Sequence, residues 1–340
     1  MAKDTGRRMV PSLKFSGKNV DTLLKDYLES VSYTDVASGS ADTLDIRLQD
    51  IRGKWLNEYY PKKGNTVSGK LIFKDWYGGF IKAVICGTFT LDDIRVSLSP
   101  MTMELSCVSS PAKESFQTRE RNKTWEKVTL KEVATEICKR YGLDLLWQGK
   151  DAKISKLEQS ETDSSFLMSL LESYEFSMKI YRDRLVVYNI TDIEAEKPVA
   201  TLEPSDFSDV SFTDGIYGTY TGARVSYKPE NGDKEIPVYV GLKGEHDKGS
   251  RVLKVNESCS SEGEARRKGA AQVNKSNRGA TTMSGTLFPR PDISSGMCVK
   301  LSKDFGKLAG KYFIDKVTWE AGSGTSQKVE AHKVKKKVKA

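Results

Sequence analysis

Histidine is nearly absent from this 340-residue chain, which has only His246 and His332. A Ser-His-Asp or Cys-His mechanism needs a histidine held on a scaffold. His246 falls in a turn-rich stretch and His332 in a strand-like run near the end, so each reads as a packed or solvent-facing side chain. Paired cysteines are missing too. Cys86, Cys107, Cys138, Cys259 and Cys298 are odd in number and stand at least 21 residues apart, which fits neither a zinc site nor a disulfide framework. Cys86, Cys107 and Cys138 lie in apolar patterns, where a reduced, buried thiol is expected. No run of 18 apolar residues occurs, so no membrane-spanning helix is expected. The start, "MAKDTGRRMVPSLKF", lacks the apolar core of a secretory signal.

The motifs of common chemistries are absent as well. There is no H-E-x-x-H, G-x-x-x-x-G-K-[ST], G-x-S-x-G or G-x-G-x-x-G. "AGSGTSQ" at 321–327 is too short to cradle a phosphate and reads as a hairpin turn. The adjacent Asp92 and Asp93 would face opposite sides of a strand, which separates them for joint acid–base work. No cofactor and no metal is expected, and the chain reads as a non-enzymatic, structural part. The rivals are a cell-wall hydrolase, with carboxylates brought together from distant positions, and a glycan- or receptor-binding protein that stacks ligand on Trp55, Tyr59 and Tyr60. Packing of these aromatics beneath the preceding strand is the commoner outcome.

The net charge of +8 is concentrated at one end. Lys333 to Ala340 holds five lysines, and removing them leaves +3 over the other 332 residues. A basic nucleic-acid platform is therefore not indicated. The lysine tail reads as a frayed, solvated terminus, with an interaction arm as the rarer alternative.

What the chain does have is alternation. Between residues 1 and 110, Val31–Ala37, Thr43–Gln49, Val67–Trp76, Ile81–Leu91 and Met101–Cys107 read as strands of an antiparallel barrel or sandwich. A short helix covers Val20–Tyr27, and "YGG" turns the chain between two of the strands. In the strand "TLDIRLQ", Leu44, Ile46 and Leu48 would fill the barrel, while Asp45 and Arg47 face outward.

Residues 111–200 read as a small α/β module. "VTLKEVATEICKRYG" is a helix with Thr129 and Glu132 as its capping box and Gly142 as its stop. "LDLLW" is a strand, a second helix starts with Asp163 as N-cap, and "FSMKIYRDRLVVYNI" is a hairpin turning near Arg182–Asp183. Residues 201–340 return to strands, among them "GTYTGARVSY", "TTMSGTLFP" and "KYFIDKVTWE". A turn-rich segment spans 228–250, and a helix spans 261–278 with Ser261 and Glu264 as its box.

The two strand-rich sections resemble each other. "GTFTLDDI" from Gly87 and "GKYFIDKV" from Gly310 share a glycine, an aromatic, an aliphatic, an aspartate and a final β-branched residue. "TVSGKLIFKDWYGG" and "DISSGMCVKLSKDFGK" precede them, each with a hydroxyl residue before glycine. "MTMELSCV" and "SQKVEAHKV" follow. The pattern predicts a mainly β fold: two similar antiparallel barrels separated by an α/β insert.

The stretch "YTDVASGSADTLDIRLQDIRGKWLNEYYPKKGNTV" resembles the N-terminal signature of the phage late control protein D family, the baseplate hub proteins of contractile tails and related injection machines. The matching features are the Asp35–Gly39 turn, Leu44–Leu48, Asp50, Trp55 and Pro61–Gly64. "QSETDSSFLMSLLESYEF" resembles the family's insert and "DISSGMCVKL…GKYFIDKVTW" its closing barrel.

The resemblance implies two tail-tube-like barrels per chain and a homotrimer, so that six barrels imitate sixfold symmetry. It implies a tail-tube protein on one side, a trimeric spike protein on the other, and other baseplate proteins and a tape-measure protein as partners. DNA would pass through the channel without sequence-specific binding, and no membrane is implied. The expected location is the virion tail baseplate, or a phage-tail-like particle, assembled in the host bacterial cytoplasm. Asp45, Arg47 and Trp55 are the candidate subunit-interface residues, with opposite charges fixing register.

Overall fold

Period-two alternation builds most of the molecule. The computed structural model describes residues 6–76, 82–109, 115–181, 183–229, 234–245, 251–256, 259–322 and 324–340. The expected turn at 77–79, residue Arg182 of the second turn, and His246 lie outside them. The first stretch forms β1 (Arg8–Phe15), β2 (Lys18–Asn19), helix α1 (Asp21–Leu24), β3 (Leu28–Val36), β4 (Thr43–Gln49), β5 (Thr66–Lys74), β6 (Lys82–Leu98) and β7 (Met101–Val108). Helix α1 is shorter than the helix read over 20–27. Leu44, Ile46 and Leu48 of β4 are buried, while Asp45 and Arg47 lie on the other face.

The middle stretch forms α2 (Ser115–Thr118), β8 (Lys123–Thr129), α3 (Leu130–Tyr141), β9 (Asp144–Gln148), β10 (Lys153–Gln159), α4 (Asp163–Glu172), β11 (Phe176–Tyr181), β12 (Arg184–Asn189) and α5 (Ile190–Ala195). Helix α3 has its full capping box, Thr129 with Glu132, and ends on Gly142 at φ 68°, the left-handed conformation that glycine adopts without strain. Helix α4 departs from expectation. Its N-cap is Thr162, whose hydroxyl accepts from the Ser165 N–H. Asp163 instead points inward, where it accepts hydrogen bonds from Arg121, Arg140, Tyr141 and Gln159. Burial works to raise its carboxyl, but these donors outweigh burial and hold it below its ordinary value.

The last stretch forms β13 (Ala200–Leu202), β14 (Phe207–Asp214), β15 (Gly222–Tyr227), β16 (Ile236–Gly241), β17 (Val252–Val255), α6 (Glu262–Arg278), β18 (Thr281–Leu287), β19 (Cys298–Leu301), β20 (Gly310–Gly322) and β21 (Thr325–Lys333). Strands β15, β16 and β17 form their own sheet, packed on α6 through Ala223, Val225, Val240, Ala265 and Val273. "GARVSY" is thus outside the barrel strands, in a lobe inserted between β14 and β18. At the start of α6, Ser261 caps Glu264 N–H, but the Glu264 carboxylate reaches back to Ser260, so the expected box is displaced by one residue.

Among the described residues, thirteen strands form one mainly antiparallel sheet. Its first half runs β1-β5-β6-β7-β4-β3 and its second β13-β19-β20-β21-β18-β14. With the two-residue β2 at the edge set aside, in chain order these are the same arrangement: first strand, fourth, fifth, sixth, third, second. Register agrees as well. Leu91 faces Cys107, which faces Leu44, which faces Tyr33. In the second half Ile314, Ala331, Met283 and Phe212 occupy those places.

Two bulges coincide as well, while a third, at Cys86 in the β5–β6 pairing, has no twin between β19 and β20. One falls at Asp92 and its twin at Asp315; another falls at Glu29 and its twin at Ser208. Bulges are positional features of a fold rather than defects, so shared bulges in a shared strand order mark duplication. One departure is that β1 runs antiparallel to β5 whereas β13 runs parallel to β19. The glycine matching Gly296 is Gly64, since each donates its N–H across to Leu91 or Ile314. The pairing of Gly296 with Gly69 suggested by the sequence was offset by five residues.

The two halves are not separate bodies. The last part of β20, residues 316–322, pairs with β3, Trp319 opposite Tyr33, and β1 lies beside β20. Both halves contribute to one apolar core that includes Tyr33, Phe73, Phe89, Tyr312 and Trp319.

Candidate assembly surface

Opposite charges alternate across the outer face of the first half. Arg47 on β4 lies 3.0 Å from Glu29 on β3 and 3.6 Å from Glu104 on β7, and Arg95 on β6 lies 3.6 Å from Glu104 on its other side. Antiparallel neighbours stand directly opposite one another, so charges of unlike sign there form a ladder. Arg47 and Glu29 remain 47% and 40% exposed, which leaves the ladder open to solvent and to a neighbour. Asp45 accepts from Thr43 at 3.3 Å on the same strand.

Trp55 is elsewhere. It is 3% exposed and packs edge-on between Tyr27 and Tyr59, at 6.4 and 6.0 Å. Its loop is pinned by Asp50, which accepts from the Leu56 N–H. Trp55 is therefore a core residue, offering neither an interface to a second chain nor a stacking platform for a glycan. Trp55 shares one apolar core with Leu44, Ile46 and Leu48 of the preceding strand.

The Asp35–Gly39 turn has an internal use. Lys179, on β11 of the insert, lies 2.6 Å from Asp35 and 3.2 Å from Asp42. Asp35 also accepts from the Ser295 N–H and Asp42 from the Val36 N–H. The Tyr188 hydroxyl donates to the Ala37 carbonyl at 2.5 Å. One turn thus joins the first half, the insert and the second half. Burial pushes the Asp42 carboxyl up to about 6, with Lys179 pulling against it.

A second junction surrounds His332. Its ring nitrogens face Asp315 at 2.8 Å and Glu194 at 2.7 Å. Arg278 and Lys337 complete the cluster around buried Glu194. The lysine tail is therefore not frayed: Lys337 reaches Glu194 and Thr191, and Val338 is buried, bonding Asn274 through its backbone. The cations come from within the chain. Among the described residues no group of three or more His, Cys, Asp or Glu side chains could hold a metal ion. The five cysteines are buried, and burial raises the thiols of Cys86, Cys107 and Cys138 above their ordinary value, which leaves those three unreactive.

No protein-family model matches the chain. It is 25% identical over 236 residues to a probable baseplate hub protein of Escherichia phage 186, covering 67% of this chain and 58% of that protein. It is 25% identical over 234 residues to the probable baseplate hub protein of Escherichia phage P2, covering 66% and 58%. The chain therefore spans less than two thirds of these relatives' own length. Its fold matches the 43 kDa tail protein of prophage MuSo2 from Shewanella oneidensis, with TM-score 0.70, 14% identity and coverage of 96% and 98%. It also matches the tail protein from Neisseria meningitidis MC58, with TM-score 0.71, 13% identity and coverage of 96% of each chain. The resemblance read from the sequence is borne out: the chain is similar to probable baseplate hub proteins of two phages, and it has a mainly β fold shared with phage tail proteins.

Proposed function

We propose that this chain is a structural baseplate hub protein of a contractile phage tail or phage-tail-like particle. Three copies form a ring of six β units, which joins the tail tube to a central spike and nucleates tube assembly. The observation that carries this is the duplication. Two units with one strand order, one register and matching bulges stand side by side in a single sheet. A threefold assembly of such chains presents six near-equivalent units, which a sixfold tube can stack upon.

In this reading the chain divides into residues 1–110, the insert 111–200, and residues 201–340 with the β15–β17 lobe. The insert faces other baseplate proteins, and the channel passes DNA or a tape-measure protein. The work is done by interfaces rather than catalysis, at the virion tail baseplate, after assembly in the host bacterial cytoplasm. Asp45 and Arg47 belong to a charged face that meets a neighbouring unit.

Native mass measurement of the full chain, alone and mixed with its trimeric spike protein, tests the proposal. A three-copy species is expected. A chain that forms another closed oligomer, or stays monomeric in both conditions, contradicts it.

A further inference from the structure

Duplication makes it possible to compare each side chain with its twin, and the comparison isolates one difference. In the seam inside the chain, residues 316–322 of β20 pair with β3, burying Val317, Trp319 and Ala321 against Val31 and Tyr33. Their twins are Ile94, Val96 and Leu98 on β6, and Val210 and Phe212 on β14. All five twins are more exposed. Ile94, Val96, Val210 and Phe212 are half-buried, and Leu98 is 67% exposed.

The cause is a missing strand. Among the described residues, β14 pairs only with β18, and residues 93–98 of β6 pair only with β7. Each half-seam therefore has an open edge, with backbone donors and acceptors free to take another strand. The two edges are too alike in design to the closed seam to be unrelated: one is the twin of β20, the other the twin of β3.

We infer that these edges complete each other between copies, β14 of one chain pairing antiparallel with the end of β6 of the next, in the register of the internal seam. The inference rests on the hub reading above and assigns its subunit contact. The copied register sets Ile94 opposite Asp214 of the next chain, Arg95 opposite Thr213, Val96 opposite Phe212, Ser97 opposite Ser211 and Leu98 opposite Val210. A heterologous contact of this kind closes into a ring when its rotation allows. A second detail agrees. Asp35 anchors the seam by accepting from the Ser295 N–H. Its twin Asp214 would meet the residue in the place of Ser295, which is Lys63, exposed and with Lys62 beside it. Within one chain Lys63 lies 3.8 Å from Asp93 and Asp214 accepts from the Thr281 hydroxyl; in the pairing Lys63 would bring a cation to the second Asp214 oxygen.

Disulfide trapping in the full chain tests the register. In the seam the Thr34 and Thr318 hydroxyls lie 3.3 Å apart; their twins are Thr213 and Arg95, both exposed. Arg95→Cys with Thr213→Cys should oxidise to covalent species ending at three copies. Arg95→Cys with Ser211→Cys, two residues out of register, should give far less. Thr34→Cys with Thr318→Cys calibrates oxidation within one chain, and the native cysteines are buried. Three-copy particles that the matched pair fails to cross-link overturn the edge pairing and leave the hub reading standing. Covalent chains running beyond three copies keep the pairing and reject the three-copy ring. Absence of both assembly and cross-linking, while the internal control oxidises, overturns both.

Discussion

Lys179 and Asp35 are 144 residues apart in sequence and 2.6 Å apart in the fold. Their contact, with Asp42 on the other side of the ammonium, fastens the α/β insert to the first β unit. Removing one partner of a buried charge set is strongly destabilising, because the others are left uncompensated. Lys179→Met should cost about 3–5 kcal/mol, read as a shift in urea midpoint. An unchanged midpoint would mean the junction is not needed for the insert to dock.

Asp42 gives this junction a pH dependence. Its carboxyl rises from an ordinary value of 3.8 to about 6, chiefly through burial. Between those values the folded chain keeps a proton that the unfolded chain has released, so this group's contribution falls as pH rises through the window. The displacement corresponds to about 3 kcal/mol. Asp42→Asn should therefore flatten the pH dependence of stability between pH 4 and 6, and parallel urea series on both proteins measure it. Identical slopes would refute the assignment.

Much of this architecture was legible from local signals. The α3 helix was, because a capping box and a terminal glycine are short-range chemistry. The inward set Leu44, Ile46 and Leu48 was, because period two allows one buried face. The duplication was visible in the shared glycine, aromatic and aspartate, since Asp92 and Asp315 are the bulged residues. What escaped the sequence was long-range pairing. Asp163 looked like a cap but binds Arg140 across 23 residues. The lysines at the end looked solvated, yet Lys337 finds Glu194 on the insert. The seam between β3 and β20 joins strands from opposite ends of the chain and leaves no local trace.

That seam sets the relation between the two units. Trp319 is fully buried there, with its ring 5.7 Å from Phe73. Trp319→Ala should cost about 3–5 kcal/mol and weaken assembly. At the seam's end Gly322 has φ 149°, and a Cβ would stand 2.2 Å from the Glu29 carbonyl oxygen. Gly322→Ala should therefore also destabilise the chain, although it adds one methyl group. Thermal unfolding of both variants, with native mass on the folded fraction, checks the pair.

Arg47 separates stability from assembly. Its pairs with Glu29 and Glu104 are solvent-screened, and exposed pairs contribute about 1 kcal/mol or less. Arg47→Ala should leave the urea midpoint nearly unchanged. Reversing both charges, Asp45→Lys with Arg47→Glu, should preserve the folded monomer while lowering the population of assembled particles. Wild-type assembly by the double variant would show that this face meets solvent alone.

The most direct measurement is an electron cryomicroscopy reconstruction of the assembled chain with its spike. The account predicts three copies around a threefold axis, with the six β units at one radius framing a channel. Two units of the same chain lying at different radii, or a particle without a threefold axis, would contradict it.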